Sequence, residues 1–161
     1  MNYYFLKDDF VKLERKILEV INQVKEIGEK IGESCETGAD TWHDNFEYEE
    51  GMRQMSMVSS HLKQLTDIRN KARVVTPNKS NDRVSIGKTV RVLINGLEES
   101  IYHIGSYIIL DDPDEPAKQE TNKNISYISP IAKLIINHSV GEVREGIIGH
   151  QNKKIKILSI E

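Results

Sequence analysis

The chain reads as an α+β protein: an N-terminal antiparallel α-helical coiled-coil hairpin followed by a small β-rich domain. Three observations predict this. Two apolar seams of helical spacing occupy the first half, a short acidic turn separates them, and the periodicity falls to about 2 after residue 82.

The first seam is Leu13, Ile17, Val20, Val24, Ile27 and Ile31, spaced 4, 3, 4, 3, 4, with Glu, Lys, Gln and Asn filling most of the positions between. A stripe this narrow fits one partner helix better than a sheet. Gly32 and Gly38 bracket the end of the arm near Ser34. The second seam is Met55, Val58, Leu62, Leu65, Ile68 and Ala72, and it leads through Val74-Val75 to a stop at Thr76-Pro77. Arms of similar length joined by a short turn fold back on each other. About 26 residues per arm at 1.5 Å per residue gives a rod of roughly 40 Å.

The hairpin is thus expected over 1–75, a linker over 76–82 and the second domain over 83–161. Thr76 to Asp82 is polar and rich in turn formers. Val84, Ile86, Val90 and Val92 suggest a first strand bent at Gly87. Tyr102 to Ile104, Tyr107 to Leu110 and Ile125 to Ile128 suggest more. Between them, Asp111 to Asn124 is a polar excursion with two prolines. Ser129 is placed as N-cap and Pro130 as first residue of a short helix to about Ile136. Val143 to Ile148 and Lys154 to Ile160 complete the set, with Ile155, Ile157 and Ile160 facing inward.

The composition narrows the function classes. The 161 residues carry a net charge of −3, but residues 29–50 hold eight acids against Lys30 alone, a net −7, leaving +4 elsewhere. A nucleic-acid-binding turn is disfavoured, because phosphates would be repelled. No apolar run suits a membrane span, and the N-terminus lacks the basic and apolar regions of a signal peptide. Cys35 is the only cysteine, so no internal disulfide forms and a reducing cytoplasm is the default.

Chemistry-bearing residues concentrate at the turn, Asp40-Thr41-Trp42-His43-Asp44-Asn45-Phe46-Glu47-Tyr48. Asp44 is a candidate catalytic carboxylate and also half of a capping box with Thr41. Asp40 is a second candidate ligand or a plain turn aspartate. Glu47 reads as a helix-surface acid. His43 and Glu47 have a spacing that holds a metal on one helix face, yet no second His or Cys completes a zinc site. Trp42 either packs on the last layer of the hairpin near Cys35 and Phe46 or reaches into a partner. Acidic neighbours raise the pKa of Cys35 and argue against a nucleophile.

The turn resembles the tip of the bacterial Gre family of transcript cleavage factors, roughly Asp-x-x-Glu-Asn-x-Glu-Tyr, which here reads Thr41 to Tyr48. Val84 to Val90 resembles the opening of that family's C-terminal domain. Ile125 to Ile135 resembles its Ser-Pro-Ile-Ala signature, with Gly141-Glu142-Val143 following. The resemblance covers nearly the whole chain in order. It implies an FKBP-like second domain that grips the rim of the secondary channel of bacterial RNA polymerase, and a coiled coil that enters the channel. Tip carboxylates, here Asp44 and Asp40, would share the polymerase's Mg²⁺ and promote hydrolysis of backtracked RNA. The nascent RNA 3′ end would be met only indirectly. Trp42, His43, Asn45, Glu47, Ser129, Pro130 and Ile131 would contact the partner, and the chain would act as a cytoplasmic monomer, with no cofactor of its own and no activity alone. DNA binding is implied at family level only. Thr41 replaces the first tip aspartate, Asp44 is one methylene shorter than the family's glutamate, and Ile136 stands where a glycine is usual. A channel-binding modulator without cleavage activity is therefore the alternative. A prolyl isomerase or chaperone is the rival suggested by the fold, but the C-terminal half offers only Tyr102, Tyr107 and Tyr127 to line an aromatic pocket.

Overall fold

The computed structural model describes residues 2–37, 46–110 and 122–161, with backbone alone at 34–37. Two compact units result, Val11–Ala72 and Met1–Phe10 with Arg73–Glu161.

In the first of these, helices α1 (Lys7–Thr37) and α2 (Phe46–Asn70) pair as a hairpin. Contacts at three levels fix an antiparallel arrangement. An Arg69 Nη2 to Glu14 Oε1 ion pair of 3.3 Å lies at one end. Gly28 faces the Met55 methyl further along, and Gly51 packs on Ile31 beyond it. The eleven seam positions that fall in the two helices are buried or half-buried, Leu13, Val20 and Leu65 most completely, as the heptad pattern requires, whereas Ala72 lies beyond the end of α2. Asp8 and Asp9 in the first turn of α1, and Arg69 in the last of α2, complement the helix dipoles.

The second unit begins with a departure from the sequence reading. Residues 3–6 and 72–75, expected within the hairpin, are strands β1 (Tyr3–Leu6) and β2 (Ala72–Val75), which pair as a two-stranded sheet. The second helical arm therefore stops at Asn70 instead of running on to Pro77. β-branched Val74-Val75 and aromatic Tyr3-Tyr4-Phe5 prefer extended backbone, and each strand supplies the other's hydrogen bonds. Phe5 is fully buried and meets Phe10 edge-on at 6.2 Å.

A five-stranded sheet follows in the order β5-β4-β3-β7-β6, antiparallel except for the parallel β4–β5 pair. Its strands are β3 (Thr89–Ile94), β4 (Glu98–Gly105), β5 (Asn122–Ser126), β6 (Val143–Ile148) and β7 (Gln151–Ile160). Helix α3 (Pro130–Ile135) adds Ala132 and Ile135 to a core of Val90, Val92, Ile94, Tyr102, Ile104, Ile155, Ile157 and Ile160.

Ile157 and Ile160 are both buried although three residues apart. Strict alternation would turn one of them outward. A bulge resolves this: Arg91 pairs with Ser159 but Val92 with Ile157, so Leu158 is extra and the phase shifts. Asn95 (φ 52°) and Gly96 (φ 74°) close the β3–β4 hairpin with two left-handed residues, a turn that an Asn-Gly pair favours. Val84 and Ile86 precede the first strand. Val84 is buried, its N–H donating to His138 O and its carbonyl accepting from Asn137 N, each at 2.9 Å. Gly87 (φ 87°) makes the expected bend, and a Cβ there would lie 2.6 Å from Pro77 Cγ. Tyr107 to Leu110 is irregular instead of a strand, because the chain leaves the sheet at Ser106. That buried hydroxyl accepts from Leu6 N at 2.8 Å and donates to Asp9.

Candidate functional site

The described residues nearest the acidic turn are the first turns of α2. Glu47 and Glu49 lie in the first turn, where a helix favours negative charge. Phe46 is 76% exposed, an unusual position for an aromatic ring. One turn on, Arg53 grips Glu50 in a fork, Nε to Oε2 at 2.8 Å and Nη2 to Oε1 at 2.6 Å, and the Gln54 amide donates to the same Oε1 at 2.8 Å. Hydrogen bonds from Arg53 and then Gln54 pull the Glu50 carboxyl down to about 2 and raise Arg53. Glu50 thus stays ionised well below the ordinary carboxylate range, with both oxygens already accepting hydrogen bonds.

A groove of about 540 Å³ runs between the helices here, lined by Ile27, Lys30, Ile31, Glu33, Phe46, Glu47, Glu50, Gly51 and Gln54. Gly51 lets the arms approach: a Cβ would stand 2.7 Å from Ile31 Cγ1.

The other candidate surface is the loop from Ser126 into α3. Ser129 caps the helix, its Oγ accepting from Ala132 N at 3.3 Å, and Pro130 follows at the first helical position with nothing to lose from its missing N–H. Pro130 is exposed and Ile131 half-buried against the core. Beside this loop four tyrosines gather. Tyr3 stacks on Tyr107 with centroids 4.0 Å apart, Tyr127 lies 6.5 Å from Tyr107 and 6.0 Å from Tyr4, and Tyr4 N donates to the Tyr127 hydroxyl at 3.3 Å. Burial, then Tyr3, pushes the Tyr107 phenol up.

Past α3, Glu142 Oε1 accepts from Ser139 N at 2.9 Å, while its Oε2 meets Arg144 Nη2 at 2.7 Å and His138 Nδ1 at 2.9 Å. The Ser139 N–H leads the causes that lower the Glu142 carboxyl.

Of the residues singled out from the sequence, Asp40, Trp42, His43, Asp44 and Asn45 lie outside the described residues. Glu47 is exposed beside the groove, as a surface acid should be. Ser129, Pro130 and Ile131 fall together on one capped turn in the other unit. Among the described residues, no group of three His, Cys, Asp or Glu side chains lies close enough to hold a metal, and no helix is long and apolar enough to cross a membrane. The sequence reading passed over Arg53 and Gln54, although Glu50-x-x-Arg53 has the spacing of a helical ion pair. It also passed over Tyr3 and Tyr4, which carry no periodic signal in a four-residue strand.

A family described as "Transcription elongation factor, GreA/GreB, C-term" matches residues 79–161. The transcription elongation factor GreA of Rickettsia bellii (strain OSU 85-389) is 30% identical over 156 residues, covering 94% of this chain and 90% of that protein. GreA of Acetivibrio thermocellus is 29% identical over 152 residues, covering 92% of this chain and 89% of that one. Among solved structures, GreA factor homolog 1 (Gfh1) of Thermus thermophilus aligns over 100% of this chain and 99% of its own, with a TM-score of 0.45 and 16% identity. The matches over the C-terminal half and nearly the full length define a transcription elongation factor, and the chain belongs to the GreA/GreB family.

Proposed function

We propose that this protein binds bacterial RNA polymerase, enters its secondary channel with the acidic end of the hairpin, and stimulates cleavage of backtracked RNA. The observation that carries this reading is the antiparallel pairing of α1 and α2. In sequence, the stretch with Asp40 and Asp44 joins the two helix ends beyond the Ile31–Gly51 contact. The net −7 of residues 29–50 suits a cation site and not a phosphate backbone.

Asp44 and Asp40 are assigned to a Mg²⁺ of the polymerase site. Carboxylate oxygens are the right donors for that ion, and two of them are too few to retain it without the partner. The metal would polarise an attacking water. The chain's own part is to deliver charge, so it is not an enzyme by itself. Glu50 is assigned no share in this role, because Arg53 neutralises its charge and, with Gln54, already donates to both oxygens. Ser129, Pro130 and Ile131 are assigned to the rim of the channel. The cap at Ser129 holds that turn in one conformation, which reduces the ordering cost of docking.

The second reading, a channel-binding modulator that does not promote cleavage, is favoured by one observation: Thr41 stands where the family has an aspartate. Stalled elongation complexes separate the two. Under the first reading the protein shortens the transcripts and Asp44→Ala does not. Under the second, neither shortens them and both bind.

A further inference from the structure

We propose that the groove beside Phe46 is a docking site for an arginine of a protein partner, which on the reading above is the polymerase. The ring of Phe46 is 76% exposed at the head of the groove, and Ile27, Ile31 and Gly51 supply apolar walls. Glu47 lines the same groove, is exposed, and has no hydrogen bond or ion pair among the described residues. Glu50 on the next turn already accepts from Arg53 and Gln54, so among the described residues Glu47 is the better placed of the two to pair with a visitor. A guanidinium is planar and weakly hydrated. It stacks on an aromatic face while its edge donates two hydrogen bonds to a carboxylate. Phe46 and Glu47 both line the groove and offer the two halves of that recognition. With Glu50 neutralised by Arg53, the lining carries Glu33 and Glu47 against Lys30, so a cationic visitor is favoured over an RNA base with its phosphate.

Competition between labelled wild type and unlabelled variants for polymerase tests this, with complexes made both with and without extruded RNA. Phe46→Ala and Glu47→Gln should each weaken binding about 3- to 20-fold, the range of a partly desolvated cation–π or charge-assisted contact. The double variant should lose less than the product of the two, because both residues hold one guanidinium. Phe46→Trp should keep the affinity, and Glu49→Gln, an exposed acid of the same turn that does not line the groove, should match wild type. Helicity checks that the variants fold. Wild-type affinity in Phe46→Ala, or losses that simply multiply, overturns the proposal. A loss seen only with extruded RNA assigns Phe46 to a nucleobase and overturns it too. Wild type that fails to bind polymerase at all sinks the functional reading along with the groove, whereas binding that the variants reproduce sinks the groove alone.

Discussion

Single side chains decide which acids remain available. Glu50 counts toward the acidic segment in the sequence, but Arg53 converts it into a neutral pair. Its folded-state pKa is depressed from 4.5 to about 2, so the stabilisation it brings is complete above the unfolded value and is lost as pH falls from about 4.5 towards 2. Replacing Arg53 by Gln should move the Glu50 carboxyl midpoint back towards the ordinary carboxylate range, read by side-chain ¹³C NMR, and should flatten the acid dependence of hairpin helicity over that window. A midpoint that stays near 2 in the variant would remove Arg53 as the cause. In the other unit, Ser129 accepts the Ala132 N–H and starts α3. Ser129→Ala should cost about 1 kcal/mol in urea unfolding, the usual worth of a lost N-cap. Both features have local sequence signals, a Glu-x-x-Arg spacing and a Ser-Pro pair, and only the second was read from them.

Elements were legible where periodicity was long. The two seams of α1 and α2, the inward Ile155 and Ile157, and the Ser129–Pro130 helix start all follow from spacing and caps. The rest depended on distant partners. Nothing near Tyr3–Leu6 shows that these residues will pair with Ala72–Val75, nearly seventy positions on, and Val74-Val75 sits equally well at the end of a helical stripe. Tyr107 to Leu110 looks like a strand until Ser106 is seen to be tied to Leu6 and Asp9. These assignments have consequences. Phe5 is fully buried, so Phe5→Ala should destabilise the β unit by about 3–5 kcal/mol. Hydrogen exchange should show the loss in β3, β4 and β7 amides and leave α2 protection near wild type. Faster exchange confined to α1 and α2 would return the N-terminal segment to the hairpin. Gly87→Ala should cost about 1–2 kcal/mol for the left-handed backbone alone, with the contact to Pro77 adding to it, again read by denaturant unfolding.

At the scale of the molecule, charge and connectivity carry the proposed function. An acidic segment of net −7 joins two paired helices, and a separately built β unit carries the capped Ser-Pro turn. The family was legible because ordered motifs span most of the chain, and the matching of residues 79–161 and of near full-length GreA relatives agrees with them. What the tip does was less legible. Thr41 in place of an aspartate removes a carboxylate, and Asp44 in place of a glutamate shortens the reach by one methylene, differences that composition and spacing do not weigh. The rate of transcript shortening in backtracked elongation complexes, measured with wild type and with Asp44→Ala at saturating protein, bears on this most directly. Wild type should accelerate shortening many-fold, and Asp44→Ala should bind equally well yet leave the rate near that of polymerase alone. Equal acceleration by both proteins, or a bound wild type that leaves the rate unchanged, would contradict delivery of catalytic charge by the hairpin.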